Sequence, residues 1–424
     1  MTTRLGALAT LGVVMALSSA ASAAGAGNAQ QHWITSWYAA LQPRWDSTFV
    51  LPANVPATLA NQTLHERIRL SAGGQRMRLV FSNRYGKEPL QIGEVRVGLA
   101  GDKQPARRLS FGGQASVSIL AGASATSDAL VFAVEPLAEL TVSTYLPVHT
   151  AITGFHWGGQ QTLSVTPGAL DDALSAAPER FSGRLFLNAV MVGAPERRRS
   201  VAILGDSITD GNGSTPDANR RWPDFLAQRL APYGIGVANA GISGARLASD
   251  GMGQSALARL EHDVLSQPGI SDVIVLLGIN DIGWPGSPFA PDEAPVTLER
   301  LSAVYRQLVS AAHLRGVRVT AATLPPFEGA LEGTPFAGHY SPAKEALRQR
   351  FNGWIRSAGV FDAVIDFDAL LRDPAHPRRL RPAFDSGDHL HPGDAGYRAM
   401  AEAVEIRALT GQEQPAAPVQ EATE

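Results

Sequence analysis

The chain has 424 residues, 45% hydrophobic and 18% charged: enough length for two domains, and a composition that excludes global disorder. A formal net charge of -3 argues against a nucleic-acid binder and against electrostatic attachment to a membrane. Cys is absent, so stability must come from packing without disulfides, and no cysteine is available for a lipid anchor.

The first stretch reads "MTTRLGALATLGVVMALSSAASAAGAG". Arg4 is a basic start, Leu5 to Leu17 form a short apolar run, and Ala21-Ser22-Ala23 fits a small-residue cleavage site. Residues 1–23 are therefore expected to be a secretory signal peptide cut near Ala23, leaving a secreted or periplasmic protein. The apolar run is shorter than the ~20 residues a membrane span needs, so no stable insertion is expected after cleavage.

From residue 31 to residue 194 the signals are strands and turns. "RMRLVFSN" alternates, with Met77, Leu79 and Phe81 on one face. "IGEVRVGLA", "SVSILAG", "ALVFAV" and "ELTVSTYLP" repeat the pattern between Gly, Pro, Asp and Asn turns. Short strands at this spacing predict an all-β sandwich or jelly roll over residues 31–194.

The rhythm changes after "VGAPERRRS", and residues 198–410 alternate strand and helix. "SVAILGD" is a strand; Trp222, Phe225, Leu226 and Leu230 then share one helical face. "IGVANAG" (strand), "QSALARLEHDVLSQ" (helix) and "SDVIVLLG" (buried strand) follow. Leu298, Leu301, Tyr305, Leu308 and Ala312 mark another amphipathic helix. "VRVTAATLP", "PAKEALRQRFNGWIRSAG" and "FDAVIDF" give strand, helix and strand, and a last helix starts near Asp394 as its expected N-cap. This alternation predicts a parallel sheet with helices on both faces. Residues 411–424, "GQEQPAAPVQEATE", are expected to be disordered.

In such a sheet ligands bind beyond the carboxyl ends of the strands. Four polar clusters fall there: "GDSITDG" with Ser207, "NAGISG" with Gly244, "GIND" with Asn280, and "DHLHP" with Asp388 and His391. Each alone is an ordinary turn or helix cap, and Asp388, His389 and His391 alone would also suit a metal. Their joint occurrence, in order, points to nucleophilic chemistry. Ser207 needs a base, which His391 supplies; Asp388 bonds the other ring nitrogen and stabilises the imidazolium. The Ser207 and Gly244 backbone N–H groups and the Asn280 amide suit an oxyanion. Neither metal nor cofactor is needed.

At this point the chain resembles the SGNH hydrolases, the GDSL esterase/lipase superfamily, whose four blocks carry Ser, Gly, Asn and His. The resemblance covers about residues 200 to 410, and the strand-rich half resembles the N-terminal region of secreted bacterial members. It implies a flavodoxin-like three-layer α/β/α fold and hydrolysis of carboxylic esters. Asp206, Asp281 and Trp284 are further candidates for substrate binding. Phe155, His156 and Trp157 in "FHWGG" are candidates for stacking on sugars. The expected activity is a serine esterase acting on short-chain, O-acetyl esters of a carbohydrate, an acylated polysaccharide among them. The competing readings are an envelope polysaccharide O-acetyltransferase, a lipase-type acylhydrolase, and a carbohydrate-binding protein on a degenerate hydrolase scaffold.

Overall fold

The computed structural model of the protein describes residues 32–102, 104–170, 178–195 and 198–410. The expected signal peptide and the expected disordered tail lie outside the described residues. Among the described residues no helix is long and apolar enough to cross a membrane.

The first half is all antiparallel. One sheet places β1 (His32–Tyr38) beside the late strand Leu187–Ala194, which in turn pairs with Gly74–Ser82. With the strand Gln62–Arg69 between β1 and Gly74–Ser82 in the chain, these are β1, β2 (Gln62–Arg69), β3 (Gly74–Ser82) and, later, β8 (Leu187–Ala194). The second sheet joins β2 to β4 (Glu94–Leu99), β5 (Glu139–Leu146), β6 (Gly154–Pro167) and β7 (Glu179–Arg184) in the spatial order β7-β6-β2-β5-β4. Alternation does the work that was expected of it: Met77, Leu79 and Phe81 are fully buried. They share a core with Leu64 and Ile68 of β2, Val95 and Val97 of β4, and Leu140 and Val142 of β5. Two sheets closing on one apolar layer make a sandwich.

The second half is the α/β region. Its sheet is parallel, and its first strand, β9 (Ser200–Gly205), pairs on both sides. Around β9 stand β10 (Gly236–Gly241), β11 (Ile270–Leu276), β12 (Arg318–Ala322) and β13 (Ala363–Ile365), in the order β10-β9-β11-β12-β13. This is the flavodoxin-like order, with the switch point between β9 and β11. Val201 to Leu204 are fully buried, as both faces are covered. The helices are α1 (Trp222–Leu230), α2 (Leu298–Leu314), α3 (Pro342–Ser357) and α4 (Asp394–Glu402), besides shorter turns. The α1 face of Trp222, Phe225, Leu226 and Leu230 is buried, as is the α2 face of Leu301, Tyr305, Leu308 and Ala312. Thr297 caps α2 through the Arg300 N–H, and Ser341 caps α3 through the Lys344 N–H, with Pro342 in the first turn.

Two sequence expectations need correcting. The segment "QSALARLEHDVLSQ" is α-helical only over Ala256–Leu260 and widens to a π-turn over Glu261–Leu265. There Asp263 accepts from Arg259 and from the Tyr38 hydroxyl, so side-chain partners outweigh regular helical spacing. Asp394 is not the N-cap of α4; Gly393 is. The Asp394 carboxylate instead accepts from the Thr215 N–H and hydroxyl and from Arg220.

From His32 onward the described residues form one compact unit. The halves are joined by buried hydrogen bonds. The Ser200 hydroxyl donates to Thr35 O at 2.7 Å, the Val237 N–H to the Ser71 hydroxyl at 2.7 Å, and the Tyr38 hydroxyl to Asp263 at 2.8 Å.

Candidate active site

Ser207 opens a single helical turn, Ser207–Asp210, at the carboxyl end of β9. Asp206 caps that turn, its side chain accepting the Ile208 N–H at 3.0 Å. The cap leaves the Ser207 N–H pointing out of the helix start, with no acceptor among the described residues. Ser207 itself is buried, and its Oγ lies 2.7 Å from His391 Nε2.

His391 sits on the loop before α4, 184 positions away in the chain. Its Nδ1 is 2.6 Å from Asp388 Oδ2. The other Asp388 oxygen accepts the His391 and Leu390 N–H groups at 2.8 and 3.0 Å. Partial burial alone would raise the Asp388 carboxyl. The His391 ring and the two backbone donors outweigh it and hold the group well below the usual carboxylate range. The result is an unbroken line of hydroxyl, imidazole and carboxylate. Neighbouring acids do not compete for the ring. Asp385 holds His389 instead, at 2.6 Å, so His389 and His391 turn to different carboxylates. Among the described residues no group of three or more His, Cys, Asp or Glu is arranged to hold a metal ion.

Gly244 follows β10 and Asn280 follows β11, and both line one cleft with Ser207 and His391. Gly244 has φ of 69°, and a Cβ there would lie 2.1 Å from Met252 Sδ. Only glycine fits, for conformation and for space. Its N–H has no acceptor among the described residues. The Asn280 amide gives one hydrogen to Ala245 O at 3.1 Å and keeps a second. The Ser207 N–H, the Gly244 N–H and the remaining Asn280 hydrogen are thus three uncommitted donors on the same cleft as the Ser207 hydroxyl.

The remaining candidates divide. Trp284 is in the cleft wall, stacked on Phe289 with ring centroids 4.8 Å apart, and Phe289 stacks on Phe336 at 5.1 Å. Trp157 also lines the cleft, but Phe155 is fully buried in the sandwich core and His156 is buried behind the wall. Asp206 and Asp281 do not line the cleft, so the structure gives neither a direct contact with a substrate. Asp206 is a helix cap. Asp281 accepts the Leu247 and Ala248 N–H groups at 2.7 and 2.9 Å and anchors the loop that carries Gly244. Burial pushes the Asp206 carboxyl up to about 7, against the Ile208 N–H and the nearby His391. Burial raises Asp281 as well.

Three features escape sequence reading. Met252, Phe289 and Phe336 complete the aromatic wall from loops without a motif. His339 packs its buried, neutral ring there, held down to about 3 by burial and then by Lys344. Leu51 joins Trp157, which the sequence had offered, in bringing the sandwich half into the cleft. The cleft encloses about 150 Å³.

The scan of protein families matches residues 203–399 to the GDSL-like lipase/acylhydrolase family. A search of curated proteins returned no match. Solved structures similar to this chain include a GDSL-like lipase from Bacteroides thetaiotaomicron, at 18% identity over 50% of this chain and 89% of that one, with a TM-score of 0.37. An acetyl xylan esterase is 20% identical over 48% of this chain and 96% of its own, with a TM-score of 0.36. A variant of an acetyl-xylooligosaccharide esterase from Geobacillus is 23% identical over 52% of this chain and 97% of its own, with a TM-score of 0.35. Ser207, Gly244, Asn280 and His391 all fall inside the matched segment, and residues 203–399 of this chain form a domain of the GDSL-like lipase/acylhydrolase family.

Proposed function

We propose that the protein is a serine hydrolase of carboxylic esters. The observation that carries this is the line Ser207 Oγ–His391–Asp388 beside three uncommitted donors. His391 takes the Ser207 proton as Oγ attacks the ester carbonyl carbon. The C–O π electrons move to the carbonyl oxygen, which settles among the Ser207 N–H, the Gly244 N–H and the Asn280 amide. Asp388 fixes the tautomer of the neutral imidazole and stabilises the imidazolium that forms. Collapse expels the alcohol, which takes the proton from His391 and leaves an acyl-Ser207 ester. Water repeats the sequence and releases the acid.

The cleft wall bears on the substrate. It is aromatic and aliphatic, and an apolar cavity of about 150 Å³ is enough for a benzene ring. An O-acetyl group fits with room to spare, and a short to medium or aryl acyl group fills the space. The half-buried Trp157 ring in the wall supports a carbohydrate on the alcohol side. The export reading of residues 1–23 completes the proposal: a secreted or periplasmic esterase whose two regions are a β-sandwich and the hydrolase domain.

The test is turnover of p-nitrophenyl esters from acetyl to decanoyl by wild type and Ser207→Ala. The wild type should turn these esters over. The variant should fold and lose up to about 10⁶-fold in kcat, leaving only residual rate from the donors and binding. A variant that keeps most of the wild-type rate removes Ser207 from the reaction.

A further inference from the structure

β6 belongs to the sandwich, yet its pairing with β7 breaks between Trp157 and Thr162. The extra residues form a bulge directed at the hydrolase domain, and bulges of this kind re-aim side chains beside active sites. Gly158, at φ of 71°, lies so close that a Cβ there would be 3.3 Å from Ser243 Oγ and 3.5 Å from Asn212 Oδ1. The Gln160 amide donates to Asn212 Oδ1 at 3.0 Å. Thr162 gives its N–H and hydroxyl to Asp217 at 2.7 and 2.6 Å. The bulge is fitted to the loop that follows the nucleophile.

At the start of the bulge stands His156. Its Nδ1 is 2.6 Å from Ala40 O, and its Nε2 is 2.8 Å from Asp210 Oδ1. Asp210 closes the helical turn that Ser207 opens. Its second oxygen accepts the Ser243 N–H at 3.1 Å and the Ser243 hydroxyl at 2.7 Å. Ser243 precedes Gly244. His156 and Asp210 are both almost fully buried. Ala40 O can only accept, so Nδ1 donates to it, and Nε2 faces the Asp210 carboxylate.

We propose that His156 is a positioning residue for the reaction: its ring fixes Asp210, and Asp210 fixes the Ser243–Gly244 turn so that the Gly244 N–H faces the oxyanion. The sandwich half thereby supplies part of the working geometry of a site whose nucleophile it does not carry. The chain of contacts links the two sides of the reacting atom, since Asp210 is bonded to the Ser207 turn and to the Gly244 turn at once. A donor displaced by a fraction of an ångström loses much of its effect on the transition state. This inference rests on the serine hydrolase reading.

Two substitutions separate positioning from mere support. In His156→Gln the amide nitrogen takes the place of Nε2 and keeps the bond to Asp210. In His156→Asn it takes the place of Nδ1 and keeps only the bond to Ala40. Each loses one buried hydrogen bond, and His156→Asn, which takes the partner from a buried carboxylate, should lose the more stability, so turnover is compared well below both melting temperatures. With p-nitrophenyl esters, His156→Asn should lower kcat by about tenfold or more with little change in KM, less than the 10²–10³ of a deleted donor. Its affinity for an aryl boronic acid, a tetrahedral mimic, should fall in parallel. His156→Gln should stay close to wild type in both. Should His156→Asn fail to fold, Ser243→Ala asks the same question by removing one of the two bonds to Asp210; it too should lower kcat and boronate affinity together. Equal losses in the two His156 variants, or an unchanged kcat in His156→Asn or Ser243→Ala, would overturn the proposal. If Ser207→Ala is dead while His156→Asn is normal, only this inference falls. If Ser207→Ala is active, the hydrolase reading falls with it.

Discussion

The carboxylates near Ser207 are distinguished by their surroundings, and two predictions separate them. Asp388 is held far below the usual carboxylate range, so it stays charged from pH 5 to 9. A depressed carboxyl contributes stability above its unfolded value and loses it only in strong acid. The pH dependence of kcat/KM should therefore show one rising limb, from the imidazole, with none from the acid member. Asp388→Asn should cut kcat by about 10⁴ in a profile from pH 5 to 9, because an amide can neither stabilise the imidazolium nor hold the tautomer. A variant with both rate and limb intact would make Asp388 structural. Asp206 is the opposite case. Its folded value is raised to about 7, one of its oxygens has no hydrogen-bond partner, and its favourable contribution is lost as pH rises toward that value. Asp206→Asn keeps the cap acceptor and removes the charge. Its stability relative to wild type should improve by on the order of 2 kcal/mol between pH 5 and pH 8, read by thermal melts at both. No pH-dependent difference would mean that Asp206 is ionised in the folded protein at pH 5. Ser207, Gly244 and Asn280 stand in short motifs after strands, and Asp388 and His391 in one just before α4, so the sequence could offer them together as candidates. His156 and Asp210 were not, since their contact spans 54 positions and no spacing rule connects a sandwich bulge to a helical turn.

Among elements, those with strong periodicity were the readable ones. The α1 and α2 faces, the alternation of β3 and the buried run of β9 each follow from one repeating pattern, and one pattern suffices because burial of a whole face decides the structure. In the π-turn at Glu261–Leu265 Asp263 is bonded to Tyr38, and beside the Gly393 cap Asp394 is bonded to Thr215 and Arg220; these partners lie far away in the chain, so local pattern misplaces both. Helix α3 shows the same dependence. Its amphipathic pattern places it, but its fixed position owes much to Arg348, which is almost fully buried. That guanidinium reaches Glu345 at 2.7 Å, Asp368 at 2.8 Å and Leu324 O at 2.7 Å. Desolvation works against the cation, and the two carboxylates more than offset it. Arg348→Met keeps the apolar stem and leaves Glu345 with Gln349 as its remaining partner. Removal of one partner from a buried ionic cluster costs about 3–5 kcal/mol. A urea midpoint lowered accordingly, at unchanged slope, is the expected result; a change under 1 kcal/mol would show that Arg348 does not hold α3 in place.

At the scale of the molecule, the sequence divides at a clear change of rhythm, while the packing crosses that division. The core of the sandwich includes Met252 and Trp284 from the second half, and the core of the α/β region includes Tyr38, Ala40 and Ala189 from the first. Trp45 and Gln42 both donate to Met252 O, at 2.8 and 2.7 Å, so the loop that walls the cleft is pinned by the sandwich. A cleft built on both halves, with its wall and its Gly244 turn tied to the sandwich, should lose activity when the sandwich opens. Leu64 tests this, because it is fully buried in the sandwich and takes no part in the cleft. Leu64→Ala should cost about 2–5 kcal/mol, from lost transfer energy and the cavity left behind. The full chain should still unfold in one transition, and the temperature at which ester turnover disappears should fall together with the melting temperature. Activity that survives a first, separate transition would show that the hydrolase domain stands without the sandwich, and the shared cores would then be contact without cooperation.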